Sequence, residues 1–331
     1  MTEPVNPVVS VVLPVYNCAR YVGLAVESIL AQTYADFELL VVDDGSSDET
    51  PTVLGEFADK RLLVVRQPNR GVAAARNRGI ALSRGRYIAQ MDADDLSNPG
   101  RIARQVAFLD DHPRCGMVGT WAEIWSGDEK TQRVHAHPVD NGHLKFELLF
   151  DNPFVQSSVM IRREVLDEVG PYTVDPARQP PEDFELWSRV ARCYDVANIG
   201  EVLQIYREVE GSLSRQGSTP FRDHLVTLSA ENIGWAAGVG GTDTQVVNIA
   251  ALVHGASDRV QGEPDFAAMR QVLRRAAARV TDDPSEGYER EADRRIGLLY
   301  GRRWANPDVN RWTRWPIRPL LHIRSALRTR R

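Results

Sequence analysis

Cysteine is scarce in this 331-residue chain: Cys18, Cys115 and Cys193 stand far apart, with no CxxC and no Cys/His ligand spacing. Neither a disulfide framework nor a zinc site is expected, and a reducing cytosol suits the composition. No apolar run approaches the ~18 residues of a membrane helix, and no basic segment followed by an apolar run opens the chain. Neither a span nor a secretory signal is therefore expected. After the first apolar run the chain reads PVYNCA where a dinucleotide site needs GxGxxG, and GxxxxGK[ST] is absent, so no glycine loop cradles phosphate. What remains is ordinary globular material, 43% hydrophobic and 26% charged, long enough for two domains or one large α/β domain with an appendage.

Residues 8–13, VVSVVL, predict a strand buried on both faces, as in a parallel sheet, ended by Pro14. Helical spacing over Arg20–Gln32, a second strand at 37–42, a helix capped by Asp48, a third strand at 61–66, a helix over 70–83 and a fourth strand, RYIAQM, follow in alternation. That order predicts a doubly wound, mostly parallel α/β sheet with helices on both faces.

Two of these strands run out into acids, at Asp43/Asp44 and at Asp92, Asp94 and Asp95. Clustered carboxylates repel one another, and Mg²⁺ or Mn²⁺ carrying phosphate is the natural counter-charge, because such an ion takes one or two protein carboxylates and fills its other positions with phosphate and water oxygens. Two acidic ends at one sheet edge also suit hydrogen-bond donors such as ribose hydroxyls or a base imino group.

The blocks at 10–50, 68–95, 157–172 and 180–191, in this order and spacing, resemble family 2 glycosyltransferases of the GT-A fold. The resemblance implies a nucleoside diphosphate sugar donor, with UDP favoured, held by Pro14, Tyr16, Asp44, Arg76 and Asp92. Tyr16 would lie against the base, Asp44 accept from its imino N–H, Asp92 contact ribose, and Arg76 support the carboxylates or the diphosphate. It places the metal on Asp94 and the catalytic base on Asp183 of PPEDFELWSRVARC, with Glu182 and Trp187 on the acceptor side. Val209 stands where relatives often carry a histidine. RWTRW at 311–315 fits a pattern of processive members but lies 128 residues beyond Asp183 with no spans around it, so one sugar per encounter is expected.

The rest of the chain reads as a helix at 99–111, a strand from 115 that turns back at Ser126-Gly127-Asp128, and a helix from Arg163 stopped at Gly170-Pro171. His135 and His137 read as half-exposed strand residues, not metal ligands. The expected organisation is a donor half at 1–110, an acceptor half at 111–220, a helical appendage at 221–304 and a basic amphipathic tail at 305–331. Residues 311–331 combine seven arginines with two tryptophans and no acid, whereas residues 1–300 carry about −13 of the chain's net −5. This predicts peripheral contact with an anionic membrane face from the cytoplasm, a glycan or lipid-linked acceptor, and no nucleic-acid partner.

Overall fold

The computed structural model describes residues 6–209, 219–280 and 287–305. The chain enters the sheet at β1 (Val9–Val15), crosses through α1 (Val22–Leu30) to β2 (Phe37–Asp43), and through α2 (Thr50–Gly55) to β3 (Leu62–Arg66). It then returns through α3 (Val72–Leu82) to β4 (Tyr87–Gln90), on the other side of β1. β1 pairs in parallel with both β2 and β4. The winding therefore reverses beside β1, and the crevice at the carboxyl ends of β1 and β4 is where an open α/β sheet receives ligands.

Next come β5 (Leu96–Ser97), α4 (Arg101–Asp111), the hairpin of β6 (Cys115–Ser126) and β7 (Glu129–His135), and α5 (Asn141–Glu147). β8 (Met160–Arg162), α6 (Arg163–Val169), α7 (Glu182–Cys193) and β9 (Asp195–Glu208) complete a sheet ordered β3-β2-β1-β4-β8-β6-β9-β5, with β7 on β6. β8 runs antiparallel to both its neighbours, and β5 antiparallel to β9, so the sheet is mostly but not wholly parallel.

Strand alternation sorts the core. Val9, Val11, Leu13 and Val15 of β1 pack with Val22, Val26 and Ile29 of α1 and Ile102, Val106 and Leu109 of α4. Val12, Leu40 and Ile88 point to the other face, against Ala73 of α3 and Phe184, Leu186, Trp187 and Val190 of α7. With both faces covered, β1 and β2 must be apolar at nearly every position, and each such side chain contributes about 1.5–3 kcal/mol on burial. α3 lies close on the sheet because Gly79 has no Cβ; one built there would stand 2.5 Å from Val12 Cγ1.

Two local expectations are corrected. Pro14 does not end β1: it is buried within the strand, opposite Val42. β4 pairs with β1 only as far as Val12, so at Pro14 one side of the strand needs no N–H donor and proline is tolerated. Asp48 serves α2 from one residue farther out than a simple cap; Oδ1 accepts from Thr50 N at 3.0 Å while Oδ2 accepts from Ala19 N at 3.0 Å.

Beyond the sheet, α8 (Thr219–Ala237), α9 (Thr244–Val253), α10 (Phe266–Val280) and α11 (Tyr288–Ala305) share a separate core. The stripes Met269, Leu273, Ala276, Val280 and Tyr288, Ala292, Ile296, Leu299 are buried in it together with Phe146 and Phe150. Asn232 of α8 fastens this unit to the sheet domain, donating to Leu148 O at 2.9 Å and Ser188 Oγ at 2.8 Å. Among the described residues no helix is long and apolar enough to cross a membrane. The basic tail lies outside the described residues.

Candidate active site

Two loops close the carboxyl end of the sheet over the switch point. Asn17, in a left-handed conformation (φ 48°), donates its N–H to Ser46 Oγ at 2.9 Å and accepts from Ser47 N at 2.8 Å. The loop after β1 is thereby tied to the loop after β2. Tyr16 projects from it, 50% exposed, a free aromatic face beside the crevice.

Asp44 is 3% exposed and heavily engaged. Its carboxylate accepts from Gln67 Nε2 at 2.8 Å, Arg70 N at 3.0 Å and Gly71 N at 2.8 Å, which pins the loop after β3 to the end of β2. Gly45 makes this turn possible: its φ is +83°, and a Cβ there would stand 2.9 Å from Asn69 N. Asp43 accepts from Ser46 N at 2.8 Å.

The three acids after β4 have three different surroundings. Asp92 accepts from Arg76 Nη2 at 2.8 Å. Asp95 is buried, accepting from Ser157 Oγ and from Arg207 N at 2.7 Å; burial and the neighbouring Asp94 raise its pKa well above the carboxylate range. Among the described residues no other side chain donates a hydrogen bond to Asp94, and burial followed by the charge of Asp92 lifts its pKa to about 6. An incompletely compensated carboxylate between two engaged ones fits a divalent cation that arrives with phosphate, since such an ion needs only one or two protein oxygens.

Arg76 joins this cluster to α7. Its side chain is 6% exposed, with Nη1 on Glu182 and Nη2 on Asp92, and its guanidinium lies 5.4 Å from the centre of the Tyr172 ring. Asp183, the next residue after Glu182, faces elsewhere. Consecutive helical side chains diverge by about 100°, so Glu182 meets Arg76 while Asp183 accepts from Asn152 Nδ2 at 2.8 Å and from Phe184 N at 2.7 Å. Burial, then the charge of Glu182, outweigh Arg76 and the helix N-terminus and raise Asp183 to about 7. A partly exposed carboxylate near neutrality is suited to general-base work.

Two acceptor-side expectations change. Trp187 is fully buried and packs edge-on against Tyr172 with ring centres 5.9 Å apart, so it supports α7 from within the core and offers no surface to an acceptor. Glu182 is buried too, its carboxylate directed to Arg76, which makes it a brace for the arginine and not an open acceptor contact. His135 and His137 stack with ring centres 5.5 Å apart, and burial drives His137 down to about 4, consistent with a neutral packing pair.

Sequence reading missed Asn152, Tyr172 and Arg207. The Arg207 side chain is 1% exposed; it donates to Asp128 Oδ1 at 2.6 Å, lies over the Tyr21 ring at 4.5 Å, and exerts its charge on Asp94. No spacing in the sequence announces these residues, because each is brought in by a different element. Val209 is at the end of the described stretch, and residues 210–218 lie outside it.

The curled, mostly parallel sheet with its acid-tipped strands beside the switch point is a GT-A arrangement. Staphylococcus aureus TarS 1–349, crystallised in complex with UDP-GlcNAc, superposes with a TM-score of 0.59 over 92% of this chain and 89% of that one, at 18% identity. The family pattern "Glycosyl transferase family 2" matches residues 10–170. The Bacillus subtilis putative glycosyltransferase EpsE is 30% identical over 230 residues, covering 67% of this chain and 81% of its own length. An uncharacterized glycosyltransferase of Haemophilus influenzae is 29% identical over 258 residues, covering 75% and 80%. The chain belongs to glycosyltransferase family 2.

Proposed function

We propose that this glycosyltransferase moves a sugar from a nucleoside diphosphate, most simply UDP, to an acceptor hydroxyl with inversion at the anomeric carbon. The observation that carries the reading is the linked pair of carboxylate sites: the acids after β4 on the donor side and Asp183 at the start of α7, joined through Arg76 and Glu182. Asp183 takes the proton of the acceptor hydroxyl as its oxygen bonds to C1, and the C1–O bond to the diphosphate breaks on the opposite face. One displacement inverts the centre.

Tyr16 stacks on the base. The remaining acceptor capacity of Asp44 serves the base imino group, and Asp92, held by Arg76, serves the ribose. Asp94 would hold Mg²⁺ or Mn²⁺, which supplies positive charge to the leaving diphosphate when bound. The UDP-GlcNAc bound to the structurally similar TarS supports the choice of a UDP-sugar. In this reading 1–110 form the donor half, 111–220 the acceptor half, and 221–304 an appendage.

The basic 311–331 segment favours a lipid-linked or envelope glycan acceptor met at the cytoplasmic membrane face. Retention of Asp44, Asp92, Asp94 and Asp183 weighs against a sugar-nucleotide-binding pseudoenzyme. The test is a panel of nucleotide sugars assayed for metal-dependent release of nucleoside diphosphate. Turnover of one UDP-sugar above the others supports the proposal, and binding without turnover across the panel and a range of acceptors contradicts it.

A further inference from the structure

Asn152 precedes Pro153 in the loop between α5 and β8, 31 residues before Asp183 in sequence, yet its amide meets that carboxylate. Asn152 Oδ1 accepts from Phe154 N at 3.0 Å, which fixes which end of the amide faces where: the oxygen turns back to its own loop and the NH₂ must point at Asp183 Oδ2, 2.8 Å away. The loop is held in turn by Asn152 N donating to Asp151 Oδ1 at 2.8 Å. Asp183 Oδ1 receives Phe184 N at 2.7 Å. Each oxygen of the carboxylate thus has one fixed donor and keeps one lone pair.

From this geometry we infer that Asn152 is a positioning residue of the base. It clamps the carboxylate of Asp183 in one rotamer and, as a donor that cannot lose its proton, favours the ionised form that accepts the hydroxyl proton. The inference rests on Asp183 being the base. The charged and titratable groups around Asp183 make such a donor necessary. Glu182 on the same helix and Asp92 after β4 oppose its ionisation, and Arg76 of α3 favours it. Tyr172 is close enough to feel the Asp183 charge, and Asp151 adjoins Asn152. His224 of α8 is occupied with Pro180 O at 3.0 Å. Arg76 is already shared between Glu182 and Asp92, so among the described residues Asn152 is the side chain that donates a hydrogen bond to Asp183. A hydrogen bond to the charged form lowers the pKa of a carboxyl group, and its loss raises it.

The pH dependence of kcat at saturating donor separates this role from a structural one. Asn152→Ala is expected to move the acidic limb upward by about one pH unit, a roughly 10-fold loss at a pH below the limb and little loss above it. Asn152→Asp keeps the Oδ1 acceptor for Phe154 N, and with it the loop, but places a second carboxyl group against Asp183; its acidic limb should move further in the same direction. Asn152→Asp therefore decides the matter if the alanine variant folds poorly. Acidic limbs that superimpose on the unmodified enzyme, with a loss equal at every pH, overturn the inference. Asp183→Asn run alongside keeps the two questions apart: if it remains active the base is elsewhere and the underlying reading fails, whereas if it is inactive while the Asn152 limbs do not move, only the role of Asn152 fails.

Discussion

Arg76 is the residue whose removal the structure makes most consequential. Its guanidinium, 6% exposed, lies between Asp92 and Glu182, whose side chains are 25% and 11% exposed. Arg76→Met keeps much of the side-chain volume but takes from Asp92 and Glu182 the guanidinium that donates to both, leaving Asp92 only the charge of the buried Arg101. Breaking a buried pair by deleting one partner costs about 3–5 kcal/mol, because the charge left behind stays desolvated. Asp92 is open enough to recover some hydration, so the lower half of that range, ~3 kcal/mol, is expected in a urea titration. Glu182→Gln in the same background removes one of the stranded charges and should recover at least ~1 kcal/mol, a coupling a double-mutant cycle reads directly. The effect on the donor site should be equally clear, since Asp92 loses the group that aims it. A cost below ~1 kcal/mol, as for an exposed ion pair, with no coupling to Glu182, would refute the reasoning.

The remaining predictions concern separate parts of the molecule. Asp94→Asn should abolish the Mn²⁺-dependent part of UDP affinity, and calorimetry giving equal affinity with and without Mn²⁺ for the unmodified protein removes that role. Trp187→Phe should cost about 1–2 kcal/mol of stability through lost packing while leaving the acceptor KM unchanged; a raised KM in a protein of normal stability would return Trp187 to the acceptor site. Deleting 311–331 should eliminate co-sedimentation with anionic liposomes and spare hydrolysis of soluble donor, and a truncated protein that sediments as well as the full chain dismisses the tail as anchor.

How much of this was legible in the sequence follows from what each feature depends on. β1 and β2 were, because a strand covered on both faces must be apolar almost throughout, and VVSVVL and FELLVV announce that directly, whereas β3 was legible from its apolar run alone, since it lies at the sheet edge with Leu63 and Val64 exposed. The helical stripes of the appendage were legible because one buried face repeats at helical spacing. Pro14 misled because a proline ends a strand only where the edge its nitrogen faces is paired, and the extent of β4, on that edge, is not written in β1. Trp187 and Glu182 misled differently: a helix beginning with two acids does not say which acid faces an arginine 106 residues earlier and which faces the crevice. Asn152 and Arg207 left no trace, since their roles are created by loops and strand ends that meet only in the folded chain.

The central claim is that Asp183 is the base, and pH ties it to the structure. Its pKa, raised from the ordinary carboxylate value to about 7, means that kcat rises with pH through that region as the carboxylate ionises. Because the folded-state value lies above the unfolded one, ionising Asp183 costs stability, progressively from about pH 4 to about pH 7. Asp183→Asn should therefore be at least as stable as the unmodified protein at pH 8, in keeping with a group retained for chemistry. The decisive measurement is turnover of the sugar donor by Asp183→Asn at pH 8 beside its donor affinity. The account predicts affinity within about 3-fold of the unmodified enzyme and a kcat at least ~100-fold lower. Turnover within a few-fold of normal, in a variant that binds donor normally, would contradict it.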